Sequence, residues 1–220
     1  TLVEGVNEEW DKFESFEDYD HFIEVVLKEL KRLMKPTATI WVIGTYHNIH
    51  RIGKIMQDLG FWILNDVIWL KTNAMPNWLN VRFTNATETL IWAVKEKSAK
   101  GYTFHADIAR RFSPSRFKLA INVWELPICS GEERLRDGQG KKLHPTQKPE
   151  ALLERVILVS TNEGDVILDP MAGTGTTGVV AMRHNRHVIM IERERKYVEA
   201  CFRRLLTVPK QKTIWGSDGN

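Results

Sequence analysis

One stretch of this chain leaves little freedom about its fold: VILDPMAGTGTTG over residues 166–178, followed by VIMIER over residues 188–193. Val166, Ile167 and Leu168 make a short apolar run suited to a buried strand, and Asp169 closes it. Gly173 and Gly175 permit the positive φ angles that let backbone turn sharply and approach a ligand. A helix starting near Thr176 presents unpaired N–H groups and a positive dipole end to whatever sits in that turn. Val188 to Ile191 reads as a second buried strand ending in Glu192, 23 residues after Asp169. In a doubly wound sheet an acidic residue at that tip accepts hydrogen bonds from ribose hydroxyls. The pattern asks for a nucleoside ligand.

Chemistry narrows the ligand. No Lys follows the glycines, so the turn is not a phosphate loop. GTGTTG (residues 173–178) has the three glycines of a dinucleotide site, but Asp169-Pro170 closely precedes them. A carboxylate there repels a pyrophosphate and welcomes a cation. S-adenosylmethionine carries an adenosine, a ribose diol, an ammonium group and a sulfonium, and it suits Asp169, the turn and Glu192 better than NAD does.

The rest of the chain alternates strand and helix. Ser15-x-x-Asp18 is a helix start, with Phe22, Val25, Val26, Leu30 and Leu33 at helical spacing and Lys35-Pro36 as the stop. Thr39 to Ile43 is a short strand, His47 to Leu59 a helix capped by Gly60, and Phe61 to Leu70 another strand. Glu88 to Val94 forms a further strand after a Pro/Asn-rich loop at 73–80, whereas residues 96–148 have no clean period. Helices are expected over 150–161, 176–185 and 194–206, around strands at 165–169 and 187–191. Such alternation predicts an α/β fold with a doubly wound, mostly parallel sheet.

Charge is unevenly spread along the 220 residues. Residues 71–148 hold 14 Lys and Arg against 7 Asp and Glu, a local +7, while the remainder is acidic by 4. A basic, loop-rich insert on an acidic body suggests a polyanion-binding surface, with Arg82, Arg110, Arg111, Arg116, Lys118, Lys141 and Lys142 as candidate phosphate-binding residues. Of the interleaved aromatics (Trp78, Phe83, Tyr102, Phe104, Phe112 and Phe117), most are expected to be minor-core residues and one or two to meet bases. No apolar run approaches the roughly 18 residues of a membrane helix, so no membrane partner is expected. Cys129 and Cys201 stand far apart, which suits a reduced cytoplasm. His47, His50 and His105 lack the spacing and carboxylate company of a metal site, and no metal is expected.

LDPMAGTGTTG (residues 168–178) resembles motif I of the amino-methyltransferases that modify DNA, and HPTQKP (residues 144–149) resembles their motif X. Motif X directly ahead of motif I is similar to the circularly permuted β-class order. Trp10-Asp11, IGTYHN (43–48), GFWILND (60–66), FTNATETLIW (83–92) and VWELP (123–127) extend the resemblance over residues 8–207. Within that class the set is most similar to the cell-cycle-regulated adenine methyltransferases and their restriction-system relatives. The resemblance implies a Rossmann-like methyltransferase core at 1–70 and 149–207, a target-recognition region at 71–148 ending in motif X, and a tail at 208–220. It implies methyl transfer from S-adenosylmethionine to adenine N6 in flipped-out bases of duplex DNA, in a bacterial or archaeal cytoplasm, and leaves room for a homodimer.

Carried over residue by residue, it gives His144, Thr146, Gln147 and Lys148 to the methionine end of the cofactor. Asp169, Pro170, Ala172, Gly173, Thr174, Gly175, Thr176 and Thr177 form the cofactor turn, and Glu192 takes the ribose. Thr176 and Thr177 are expected both to cap the helix and to donate to the ligand, and Lys148 has DNA phosphate as an alternative partner. The family's catalytic D-P-P-Y tetrapeptide occurs nowhere in the 220 residues, so the sequence is expected to begin after that loop and, as it stands, to bind cofactor poorly and not turn over. A cytosine-N4 enzyme, a non-catalytic DNA- or cofactor-binding relative, and an enzyme acting on RNA or a small molecule stay open as alternatives.

Overall fold

The computed structural model describes residues 12–209; Trp10-Asp11 and the tail from residue 210 onward lie outside them. The chain divides between Ile128 and Cys129 into two compact units.

The first unit opens with α1 (Phe16–Leu33), where the Ser15 hydroxyl accepts the Asp18 N–H at 3.1 Å, as the capping pattern predicts. Its neighbour α2 (Ile49–Asp58) turns Ile49, Ile52, Ile55 and Met56 inward, and Gly60, at φ 76, lets the chain leave the helix for the next strand. Arg51 reaches Asp20 through two bonds of 2.6 and 2.7 Å, tying α2 to α1. Four strands complete the layer: β1 (Thr39–Gly44), β2 (Trp62–Lys71), β3 (Thr87–Val94) and β4 (Val123–Leu126), ordered β1-β3-β2-β4. β3 runs antiparallel to β1 and β2, and β4 runs parallel to β2. Three strands therefore point one way and β3 alone is reversed. One extra residue at Leu64 bulges β2 against β3. Leu27, Ile52, Met56, Phe61, Ile91 and Ala93 fill the core between helices and sheet.

The reading of residues 96–148 as irregular needs correcting. The 71–148 segment holds more regular structure than the strand expected at 88–94, which is β3: the strand β4 lies inside it too. It also hides a six-residue helix, α3 (Ala106–Arg111), too short to leave a periodic trace. Trp41 stacks on Trp92 at 5.2 Å, and Tyr102 and Phe104 pack on the same Trp92 ring; Tyr102 is half-buried there, whereas Phe104 keeps 45% of its surface exposed.

The second unit follows in chain order with α4 (Glu150–Ser160), β5 (Val166–Asp169), α5 (Thr176–Arg183), β6 (His187–Met190) and α6 (Arg195–Leu206). β5 and β6 are parallel, Leu168 opposite Ile189 and Asp169 opposite Met190. Ile167 and Val188 pack on Ile157, Val180 and Ala181 of α4 and α5. The strands were expected to be buried, but Val166, Ile189 and Ile191 are more than half exposed. Alternation sends them to the face opposite α4 and α5. Among the described residues no helix is long and apolar enough to cross a membrane.

Candidate functional site

The glycine turn leaves β5 at Asp169 and enters α5 at Thr176. Two backbone bonds fasten it to the end of β6: Ile191 N–H donates to Asp169 O at 2.9 Å, and Ala172 N–H to Ile191 O at 3.0 Å. Gly173 and Gly175 hold φ of 52 and 78, as the sequence requires. Space is as strict as conformation. A Cβ on Gly173 would stand 3.1 Å from His144 Nε2, and one on Gly175 would overlap Cys201 Sγ.

Glu192 lies two residues beyond β6 and closes the turn from the side. One carboxylate oxygen accepts the Gly173 N–H at 2.7 Å and the other the Glu194 N–H at 2.8 Å. A carboxylate accepts about four hydrogen bonds, so two backbone donors orient it and leave acceptor sites for hydroxyls. Asp169 Oδ1 accepts the Met171 N–H at 3.1 Å. His144 accepts the Thr146 N–H on Nδ1 at 3.1 Å and lies 4.4 Å from the Tyr197 ring, over Gly173. The motif X histidine and the motif I glycine, 29 positions apart in sequence, are thereby in contact.

Other expected residues have different work. Gln147 is buried, its amide oxygen accepting Leu135 N–H at 3.0 Å and its nitrogen donating to Glu133 O at 2.8 Å, so it stitches a loop and does not present its amide to a ligand. Thr176 does not cap α5. The cap position is Gly175 in left-handed conformation without a side-chain bond, and the buried Thr176 hydroxyl donates to Lys148 O at 3.3 Å. Thr146 is exposed, Lys148 and Pro170 are half-buried, Ala172 and Thr174 are buried in the turn, and Thr177 is half-buried on α5.

Arg204 and Arg134 escaped the sequence reading because Arg is ordinarily a surface residue. Arg204 of α6 is nearly buried and donates to Thr176 Oγ1 at 2.9 Å, to Thr174 O at 3.4 Å and to Glu150 Oε1 at 2.6 Å. Arg183 binds the other Glu150 oxygen at 2.8 Å. Burial alone would raise the Glu150 carboxyl, but the bonds from Arg204 and Arg183 outweigh it and hold it below its ordinary value. Arg134 donates to Cys129 O at 2.7 and 3.0 Å and to His144 O at 3.2 Å, fixing the approach to motif X.

The basic candidates fall in both units. In the first, Arg110, Arg111, Arg116 and Lys118 are all exposed on α3 and the segment after it. Arg110 pairs with Asp107 at 2.7 Å, and the Arg116 guanidinium lies 4.9 Å from the Phe117 ring. Arg82, on the β2–β3 loop, donates to the Tyr46 hydroxyl at 2.8 Å. Lys141 and Lys142 belong to the second unit, exposed on a turn built around Asp137.

A parallel strand pair, a glycine turn with left-handed backbone and an acidic side chain at the second strand's tip make up a Rossmann-like strand–turn–helix pattern. The chain belongs to the DNA methylase family N6_N4_Mtase, whose model matches residues 4–203. It is 53% identical to the Type II methyltransferase M.HinfI of Haemophilus influenzae over 201 residues, 91% of this chain and 55% of the relative. It is 41% identical to the Type II methyltransferase M2.DpnII of Streptococcus pneumoniae over 197 residues, 90% of this chain and 71% of the relative. The chain thus spans about half the length of the first of these relatives. In structure it is similar to M1.HpyAVI, crystallised as a complex with SAM, at a TM-score of 0.69 and 29% identity, covering 88% of this chain and 85% of that one.

Proposed function

We propose that this chain forms the cofactor-binding part and a DNA-binding part of a methyltransferase that carries a methyl group from S-adenosylmethionine to adenine N6 in duplex DNA. The observation that carries the reading is the Glu192 carboxylate hydrogen-bonded to Gly173 N–H within the glycine turn. Family membership and the two Type II methyltransferase relatives support it, as does the likeness to M1.HpyAVI, solved with SAM.

The turn suits the cofactor because Gly173 and Gly175 hold left-handed backbone packed closely against His144 and Cys201, a conformation that lets main-chain N–H groups approach a ligand. Glu192 takes the ribose diol, and Asp169 favours the cationic end. His144, Thr146 and Lys148 face the methionine portion, while Pro170, Ala172, Thr174 and Thr177 shape the wall. Gln147, Thr176 and Arg204 hold that wall still. When bound, S-adenosylmethionine supplies an activated methyl group on a sulfonium, so the protein contributes chiefly by positioning. A base inside a duplex cannot reach that carbon, so the target is rotated out of the stack. Exposed Arg82, Arg110, Arg111, Arg116, Lys118, Lys141 and Lys142 hold the phosphates. The D-P-P-Y tetrapeptide that grips the target amine in the family is supplied by none of these residues. We place the reaction in a bacterial or archaeal cytoplasm.

The test is to incubate the full-length protein with S-adenosylmethionine and duplex DNA, digest to nucleosides and run mass spectrometry. N6-methyladenine is expected. N4-methylcytosine alone would overturn the adenine assignment, and cofactor binding without any DNA methylation would overturn the enzyme reading.

A further inference from the structure

The β2–β3 loop, residues 72–86, carries an apolar surface that the core does not use. Trp78 is 84% exposed and Phe83 97%, with Met75, Leu79 and Val81 all above 70%. Five large apolar side chains left this exposed within one 15-residue loop mark a contact site more often than an idle surface.

The loop is also built rather than slack. The Asn77 side chain donates to Arg82 O at 2.7 Å, Asn77 N–H to Thr84 Oγ1 at 3.3 Å, and Asn80 N–H to Asn77 O at 3.0 Å. Asn80 supplies the left-handed turn at φ 51. Arg82 then latches the loop to Tyr46, between β1 and α2. A phenol is a neutral acceptor, so this bond leaves the guanidinium charge uncompensated.

Charge and composition choose the occupant. Residues 72–86 contain Arg82 and no Asp or Glu, and four of them are asparagine. A surface with two outstanding rings, amides, one cation and no carboxylate is complementary to bases and phosphates. We propose that the loop is a stacking wedge: Trp78 and Phe83 lie against DNA bases left without a neighbour when the target base is rotated out, and Arg82 binds an adjacent phosphate. The proposal rests on the methyltransferase reading and adds to it the element that stabilises the opened duplex.

The experiment uses the full-length protein with Trp78→Ala, Phe83→Ala and the double variant. Unfolding midpoints and calorimetric cofactor affinity establish that each variant is folded, and both should match the parent. DNA affinity and methyl transfer are then measured over a salt series, on a matched duplex and on one already mismatched at the target. Aromatic–base stacking implies a loss of about 5- to 150-fold per ring on the matched duplex. The salt slope should be unchanged, and the loss should shrink on the mismatched duplex, whose base is already loosened. Trp78→Phe should recover most of the loss, while Arg82→Ala should reduce the salt slope by about one unit. Unchanged affinity and turnover on matched DNA in the double variant would overturn the proposal. So would a double variant that dissociates a parent dimer in sedimentation yet binds DNA normally, which would make the patch a self-association surface. A parent protein that methylates no DNA would instead sink the underlying reading, and the wedge with it.

Discussion

Replacing Gly175 by Ala tests whether the glycine turn is held by space as well as by conformation. Two costs follow from the structure. The residue sits at φ 78, and forcing an L side chain into the left-handed region costs about 1–2 kcal/mol. The new Cβ would also overlap Cys201 Sγ, with Cys201 Cβ at 3.2 Å and the α6 backbone behind it at 3.5 Å. Overpacking at a site this closed costs about 1–3 kcal/mol. The single variant should therefore be destabilised by about 2–5 kcal/mol, the two costs together. Cys201→Ala removes Sγ and most of the overlap but leaves the φ strain untouched. The double variant should be more stable than the sum of the two singles by about 1–3 kcal/mol, the relieved overpacking, while still falling short of Cys201→Ala alone. Equilibrium urea titrations of the four proteins give the cycle. Effects that add to within about 0.5 kcal/mol would show that the two residues do not meet and would refute the reasoning.

Glu192→Ala should weaken S-adenosylmethionine binding by about 1.5–3 kcal/mol, the cost of losing hydrogen bonds to a charged group, and unchanged affinity in calorimetry would remove Glu192 from the ribose. Neutralising Arg110, Arg111, Arg116 and Lys118 together should flatten the salt dependence of DNA binding by roughly one unit for each phosphate no longer held, with cofactor affinity intact. Arg204→Met should cost about 1–3 kcal/mol in unfolding titrations, because Glu150 loses its most buried partner while keeping Arg183. Because the folded Glu150 carboxyl is held low, its contribution is complete above its ordinary value of 4.5 and lost as pH falls below that; the acid limb of the stability profile should shrink in the same variant.

The elements that sequence exposed are those with local signals. Ser15 and Asp18 announced α1, the isoleucines of α2 kept helical spacing up to Gly60, and Gly173 and Gly175 stood where only glycine fits. What stayed hidden depends on partners far along the chain. The place of β3 between β1 and β2 is set by pairings such as Thr39 with Val94, which no local pattern encodes. α3 and β4 span six and four residues, below the length at which periodicity speaks. Arg204 and Arg134 look like surface cations until α6 and the motif X loop fold around them. Gln147 was assigned by resemblance to the cofactor, and only the positions of Glu133 and Leu135 reveal that it is engaged within the protein.

The reversed strand has a consequence for how the first unit assembles. β1 finds no partner until β3 has emerged, more than forty residues later, whereas β2 and β3 can zip together across their own loop. Closing the shorter loop costs less chain entropy, so the β2–β3 hairpin is expected to form early, with β1 and β4 docking onto its two edges. In stopped-flow refolding, Ile91→Val on β3 should slow folding, whereas Val42→Ala on β1 and Val123→Ala on β4 should chiefly speed unfolding. The same loop that presents Trp78 and Phe83 would then be the first long connection the chain closes.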